Sequence, residues 1–426
     1  MSTVRTPPLV GRDLDLAVAL EQLARVEQGM PACLLVRGEA GIGKSRLVGE
    51  VTDRAGGRGH AVLVGRADDL DHGIPFALFR DMLARLGPDG PGAEGARALR
   101  AAVTGGHQED DGGHLVAAFR AATTLVSGVG EGRPVVLVLE DLHVADGESL
   151  ALAGLLIRLA DLPVLTVATL RPGGRATEIE QLGERMAEDG RGSVLDLEPL
   201  DGADVALLVS AVIDATPDEE LTGAVADASR GNPFFASEVA RSLVDARAIS
   251  MRDGRAGLVP GASAAPLPGS TALLRRLVLG TAADAELAKV VAVFGRFSLR
   301  HLGLAERLTG LSGDGVVGSF DRLVNAGLLV PAAGGGYEFA HAILRARLYD
   351  DIGPAERRRI HAAIAADLGA ERRAGIGLDI LELATHVAAS AEPGDDAAVD
   401  VLLEAARTVG ASAPLVAADY HRRALA

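Results

Sequence analysis

Tryptophan is absent from these 426 residues, and there are only 3 tyrosines, 9 phenylalanines and 1 cysteine. So little aromatic surface argues against an aromatic-rich β-sandwich. The apolar 48% is dominated by Ala, Leu and Val, with abundant Gly beside them, which suits helices and a buried parallel sheet. The lone Cys33 excludes an intrachain disulfide and reads as small core filler in a reducing compartment. No apolar run approaches a membrane span, and no N-terminal stretch has signal-peptide character, so a cytoplasmic location is expected. Positive charge is also in short supply. A net charge of −16 excludes broad coating of nucleic acid, which needs clustered Lys and Arg. The length allows two to four domains and a sizeable core.

What is present is more specific. Gly38-Glu39-Ala40-Gly41-Ile42-Gly43-Lys44-Ser45 fits the pattern G-x-x-x-x-G-K-[ST] without a mismatch. Ala32–Val36 before it reads as a short buried strand, and Arg46–Val51 after it as the first turns of a helix, the strand–loop–helix setting a phosphate loop requires. Glycines allow successive backbone N–H groups to face one anion, and the helix N-terminus adds partial positive charge. Lys44 then reaches the β- and γ-phosphates, Ser45 offers a hydroxyl to Mg²⁺, and Arg46, in the first turn of the helix, belongs to the same nucleotide-binding set. The expected ligands are ATP or ADP with Mg²⁺.

The start, Leu9–Asp13, is expected to open a helix that runs to about Glu27, with a second strand at His60–Gly65 and then a helix near Phe76–Leu86. Residues 87–113 are rich in Gly, Pro, Asp and Glu and read as a mobile surface insertion. A helix over Leu115–Val129 leads to the apolar run Val135–Leu139, a strand covered on both faces, with further strands at Val164–Leu170 and Ser193–Leu197. Strands separated by helices imply a parallel α/β sheet. The expected organisation is a P-loop ATPase domain over 1–200, an all-α lid over 201–252, a linker over 253–271, a winged helix over 272–366 and the start of helical repeats over 367–426. The winged helix is inferred from helices near 272–280, 285–294, 299–308 and 315–326, followed by a hairpin of Leu328–Val330 and Tyr337–Phe339. Its reading helix carries Asp321 and Arg322 and little other charge, which makes direct DNA binding by this chain unexpected.

Glu140-Asp141 closes the third strand, where a P-loop protein holds Mg²⁺ and polarises water. With Glu first, Glu140 stands on the metal side and Asp141 is the candidate base; the alternative is a polar strand end capping the next helix. Arg171 ends the following strand and is placed either to sense a γ-phosphate with its fork or as an exposed loop arginine before Pro172. His341, taken alone, reads as a capping or surface histidine.

Together these landmarks resemble the STAND class of signal-transduction ATPases, and within it the N-terminal half of the large ATP-binding LuxR-type transcriptional regulators. The residues that carry the resemblance are Leu9-Val10-Gly11-Arg12, the phosphate loop, Leu139–Asp146, Val164–Pro172, Arg230-Gly231-Asn232-Pro233-Phe234-Phe235, and Phe339–Tyr349 with its Phe-x-His element. The resemblance runs from about residue 8 to the end. It implies that Val10, Gly11 and Arg12 line an adenine pocket, that Pro233 packs on the base from the lid, and that His341 touches the β-phosphate of ADP. Three departures stand out: Val144 where the family has a large residue, Ala340 where it often has a polar one, and no long repeat region or C-terminal helix-turn-helix. The function so implied is a nucleotide-dependent switch with weak ATPase activity, an inducer or protein partner acting on the C-terminal helices, and nucleotide-dependent self-association. A scaffold that holds nucleotide without turnover, and an AAA+ DNA-binding ATPase of the replication-initiator kind, are the other readings of the same landmarks.

Overall fold

The computed structural model describes residues 9–68, 74–87, 89–104, 113–159, 161–252, 254–259, 281–332, 335–340, 342–375, 379–392, 394–410 and 414–425. The chain divides into two compact units. One comprises Met1–Val62, Arg133–His143 and Ala160–Arg276; the other comprises Leu63–Gly132, Val144–Leu159 and Leu277–Ala426.

The first unit is built on a parallel sheet. Strands β1 (Ala32–Arg37), β2 (Ala61–Arg66, assigned to the other unit from Leu63 on), β3 (Val135–Glu140), β4 (Val164–Leu170) and β5 (Gly192–Asp196) lie in the order β2-β3-β4-β1-β5. β1 pairs in parallel with β4 on one side and β5 on the other, and β3 pairs in parallel with β4. β1, β3 and β4 are almost wholly buried, as continuous Val/Leu runs require. The chain order reverses around β1, so the loop that follows it opens at the switch point of the sheet, where ligands bind in this architecture. Helices α1 (Asp13–Glu27), α2 (Lys44–Gly57) and α7 (Thr177–Glu188) belong to this unit.

Three further helices of this unit, where the sequence leads us to expect a lid, are α8 (Gly202–Ile213), α9 (Glu219–Ser229) and α10 (Pro233–Asp245), capped by Asp201, Asp218 and Asn232. Val205, Val209, Leu221, Val225 and Val239 form their common core. A hairpin of β6 (Ile249–Arg252) and β7 (Arg255–Leu258) packs against it. β7 lies inside the stretch expected as linker. Its Gly and Ala residues read as a spacer, yet the backbone of Ala256 exchanges hydrogen bonds with Thr216 and Asp218, and that pairing fixes the strand. Residues 260–271 of the expected linker and the helix expected over 272–280 lie outside the described residues.

In the second unit, α3 (Ala77–Ala84), α4 (Ala93–Thr104), α5 (Gly113–Gly130) and α6 (Gly147–Ile157) pack together. α4 corrects the expectation of a mobile insertion over 87–113. Ala96, Leu99 and Val103 fall at helical spacing and are buried, while the Gly, Pro and Asp residues around them masked that stripe. The buried carboxylate of Asp146 joins α3 to α6. It accepts the N–H groups of Phe76 (2.9 Å), Ala77 (3.1 Å) and Ser149 (2.9 Å).

The remaining chain forms α11 (Ala282–Phe294), β8 (Arg296–Phe297), α12 (Leu302–Thr309), α13 (Gly313–Asn325), β9 (Leu329–Pro331) and β10 (Tyr337–Phe339), then α14 (Ala342–Asp351), α15 (Pro354–Arg373), α16 (Ile380–Ser390), α17 (Asp396–Val409) and α18 (Pro414–Ala424). The three short strands form an antiparallel sheet in the order β8-β10-β9; the two-residue β8 was not foreseen. Within this unit Arg296 pairs with Asp81, Arg80 with Asp379 and Arg345 with Asp68, joining the α3 region to β8, to the N-cap of α16 and to α14. No helix among the described residues is long and apolar enough to cross a membrane.

Candidate functional site

The loop Gly38–Ser45 follows β1 directly and runs into α2. Gly41 (φ 79°) and Gly43 (φ 107°) hold left-handed backbone that a β-carbon would strain, and Gly43 forms the N-cap of α2. Every carbonyl from Gly38 to Gly43 already has a donor. Lys44 Nζ donates to Gly38 O (2.7 Å) and Glu39 O (2.9 Å). Asn232 Nδ2 donates to Ala40 O (3.0 Å), the Phe234 N–H to Gly41 O (3.3 Å), and Arg12 Nη2 to Ile42 O (3.2 Å). Gly43 O accepts the N–H of Leu47 (3.0 Å), as the first bond of the helix. With its carbonyls held by the surrounding protein, the loop keeps its amides at a helix N-terminus for an anion.

Lys44 is only 7% exposed. Burial pulls its ammonium down to about 8; Asp141, Glu140 and Glu39 oppose that shift, and Arg171 adds to it. Glu140 and Asp141 at the end of β3 and Arg171 after β4 are therefore close enough to Lys44 for their charges to act on it. Ser45, in the first turn of α2, is exposed, and the buried Nε of Arg46 has no hydrogen-bond partner among the described residues. Asp141 has φ 57°, a left-handed conformation that Asp tolerates better than most side chains. Its N–H donates to the hydroxyl of the fully buried Thr169 at 2.9 Å, which ties the end of β3 to the end of β4.

Arg12 is buried and braces the loop. Besides Ile42 it donates to Glu198 O (2.6 Å) and lies 3.8 Å from Asp15. Gly11 (φ 64°) lies tight against α8, where a β-carbon would meet the Asp204 carboxylate at 2.2 Å. Val10 is half-buried beside it, and Pro233 is half-buried in the first turn of α10. His341 lies outside the described residues.

The roles of Asn232 and Thr169 were not anticipated. Asn-Pro before an apolar helix signals an N-cap with proline at the first helical position. That signal was legible, but the carbonyl it reaches, 192 residues away, was not.

Residues 8–167 match the AAA ATPase domain family. They form an AAA-type P-loop ATPase domain. Residues 213–257, which span α9, α10 and most of the β6–β7 hairpin, match a domain family of unknown function. An uncharacterized protein of Rhizobium meliloti is 24% identical over 415 residues, covering 89% of this chain and 39% of its own length. Among solved structures, a STAND protein with a tetratricopeptide repeat sensor from Pyrococcus horikoshii is similar, with TM-score 0.52 and 15% identity. The match covers 99% of this chain and 53% of that one. The ORC2 protein of Aeropyrum pernix, solved with ADPNP and ADP, matches with TM-score 0.42 and 14% identity over 85% of this chain and 98% of its own. This chain thus spans about half the length of the Pyrococcus protein and less than half of the Rhizobium relative. The likeness to the STAND structure is one of fold: the ATPase domain followed by a helical C-terminal region.

Proposed function

We propose that this chain is an ATP/ADP-dependent molecular switch of the STAND kind, in which slow Mg²⁺-dependent hydrolysis resets the state. The observation that carries the reading is the set of donors on every loop carbonyl from Gly38 to Gly43. It leaves a Gly-Lys-Ser loop in which Lys44 is a movable cation and the Ile42 N–H makes only a long bond, 3.4 Å to Glu39 O. On nucleotide binding Lys44 leaves the Gly38 and Glu39 carbonyls for the β- and γ-phosphates. The residues fit a magnesium ion, because the Ser45 hydroxyl and Glu140 carboxylate are hard oxygen ligands and the charge of Glu140 already acts on Lys44. When bound, that ion neutralises charge on the β- and γ-phosphate oxygens.

Asp141, held by Thr169, orients the attacking water and takes its proton. The water oxygen bonds to the γ-phosphorus as the bond from that phosphorus to the β-bridging oxygen breaks, giving ADP and inorganic phosphate. Arg171 steadies the charge on the transferred group. Pro233, which opens the helix whose cap touches the loop, packs on the base together with Val10, Gly11 and Arg12. His341 contacts the β-phosphate of ADP, an assignment that rests on the family resemblance.

The order of elements from α11 to β10 supports a winged-helix reading of residues 272–366. Arg322 donates to Asp284 and Ser319 of its own unit, which supports a role for that domain other than reading DNA. A transcriptional-regulator role of the LuxR type, with an inducer or protein partner acting on the C-terminal helices, rests on the resemblance.

The test is to denature freshly purified protein and identify any released nucleotide by chromatography and mass. Stoichiometric ADP that is lost in Lys44→Ala is the expected result. Tight ADP retention by Lys44→Ala sinks the site assignment.

A further inference from the structure

Four sources hold the carbonyls of the phosphate loop itself: Lys44 and Ile42 from within, Arg12 from before β1, Leu47 of α2 from after the loop, and the lid. On the lid side a single buried side chain works in two directions. Asn232 Oδ1 accepts the N–H groups of Phe234 (3.1 Å) and Phe235 (3.4 Å), capping α10, while its Nδ2 donates to Ala40 O at 3.0 Å. The cap turns the Phe234 N–H toward Gly41 O at 3.3 Å. There is no slack in the fit: a β-carbon on Gly41 would stand 2.9 Å from Phe234 Cβ and 3.0 Å from Asn232 Oδ1. On the other side Gly231 O accepts the N–H of Leu200 at 2.8 Å, so the residue before Asn232 is anchored as well.

We propose that Asn232 is a positioning residue that couples occupancy of the phosphate loop to the order of the lid, an inference that rests on the nucleotide-site reading above. The coupling runs through single peptide groups. The carbonyl of Ala40 shares a peptide with the N–H of Gly41, and that of Gly41 with the N–H of Ile42, which would exchange its long 3.4 Å bond to Glu39 O for phosphate. An N–H engaged by phosphate polarises its peptide and makes the carbonyl on the other side a stronger acceptor. Phosphate in the loop therefore strengthens the two bonds by which Asn232 and Phe234 hold α10, and lid order in turn favours the occupied loop.

The experiment is amide hydrogen exchange on the full chain, with and without ADP, in wild type, Asn232→Asp, Asn232→Ser and Lys44→Ala. Aspartate keeps the cap and turns the donor facing Ala40 into an acceptor; serine keeps the cap with too short a reach. In wild type ADP should slow exchange across residues 234–245. Both Asn232 variants should melt close to wild type and bind ADP about three- to tenfold more weakly. They should also lose the ADP-dependent slowing in the lid. A cap role alone would alter lid exchange equally with and without ADP, and that outcome overturns the proposal. Wild-type affinity and lid protection in Asn232→Asp and Asn232→Ser, with both lost in Lys44→Ala, overturns it and leaves the site reading standing. If ADP has no effect in wild type, the site reading fails and the coupling fails with it.

Discussion

At the scale of single residues, Lys44 is the side chain whose state the site changes most. Burial lowers its pKa from the ordinary 10.5 to about 8, so the charged form is disfavoured in the folded, ligand-free protein. The unfolded chain then binds more protons between those two values, and stability gains from this group as pH rises through that window. Phosphate reverses the preference by stabilising the ammonium. Nucleotide binding should therefore take up a proton near pH 8, and affinity should fall as pH rises past it. Titration calorimetry in two buffers of different ionisation heat checks this, with Lys44→Arg expected to bind without the uptake; equal heats in both buffers for wild type would refute it. The positions of the loop and of the acids that end β3 were legible because each is a run of contiguous residues. The partners of Arg12, Asn232 and Asp141 were not, since Glu198, Ala40 and Thr169 stand far off in sequence and two of those three contribute only a backbone carbonyl.

Among the elements, α4 shows how flanking residues can hide a helix. Its Gly95 faces the backbone of α5, where a β-carbon would lie 2.2 Å from Leu125 N and 2.3 Å from its Cα. Glycine inside a helix ordinarily costs about 0.5–1 kcal/mol relative to alanine. Here the sign should invert: Gly95→Ala is expected to destabilise the second unit by about 1–3 kcal/mol, the range for overpacking a tight contact. Urea unfolding followed by circular dichroism measures the change, and a stabilised variant would show that α4 and α5 separate at little cost. The parallel strands were readable from unbroken apolar runs such as Val135–Leu139. The two-residue β8 carries no periodicity, and only its pairing with β10 defines it.

For the molecule as a whole, acid should be the weak direction. His361 and His386 are buried against each other, Nδ1 to Nδ1 at 2.9 Å, with the Tyr349 hydroxyl 3.0 Å from His361 Nε2. Burial holds both imidazoles well below the ordinary histidine range; Arg357 adds to the effect at His361, and His361 and Arg345 add to it at His386. Both rings are neutral in the fold, and the network is satisfied when one Nδ1 donates to the other and Tyr349 donates to His361. Their contribution is complete above the unfolded value of 6.5 and is lost as pH falls below it, because the unfolded chain takes up protons that the fold refuses. His386→Leu should flatten the pH dependence of thermal stability between about pH 4 and pH 6.5. A curve as steep as wild type would assign the acid sensitivity elsewhere. This pair, like the bridges from Asp68 and Arg80 to the C-terminal helices and from Asp81 to β8, joins segments that sequence alone does not bring together.

Cys33 sits in β1 between β4 and β5, 1% exposed, with its thiol pushed up to about 12 by burial. A thiol so placed is silent to alkylating reagents while the sheet is closed. It is also the one sulfhydryl in the chain. The rate at which it becomes labelled is therefore a clock for the opening of the strand that carries the phosphate loop. Any ligand held by that loop slows the clock in proportion to its own affinity, without a dye, a tag or an altered residue.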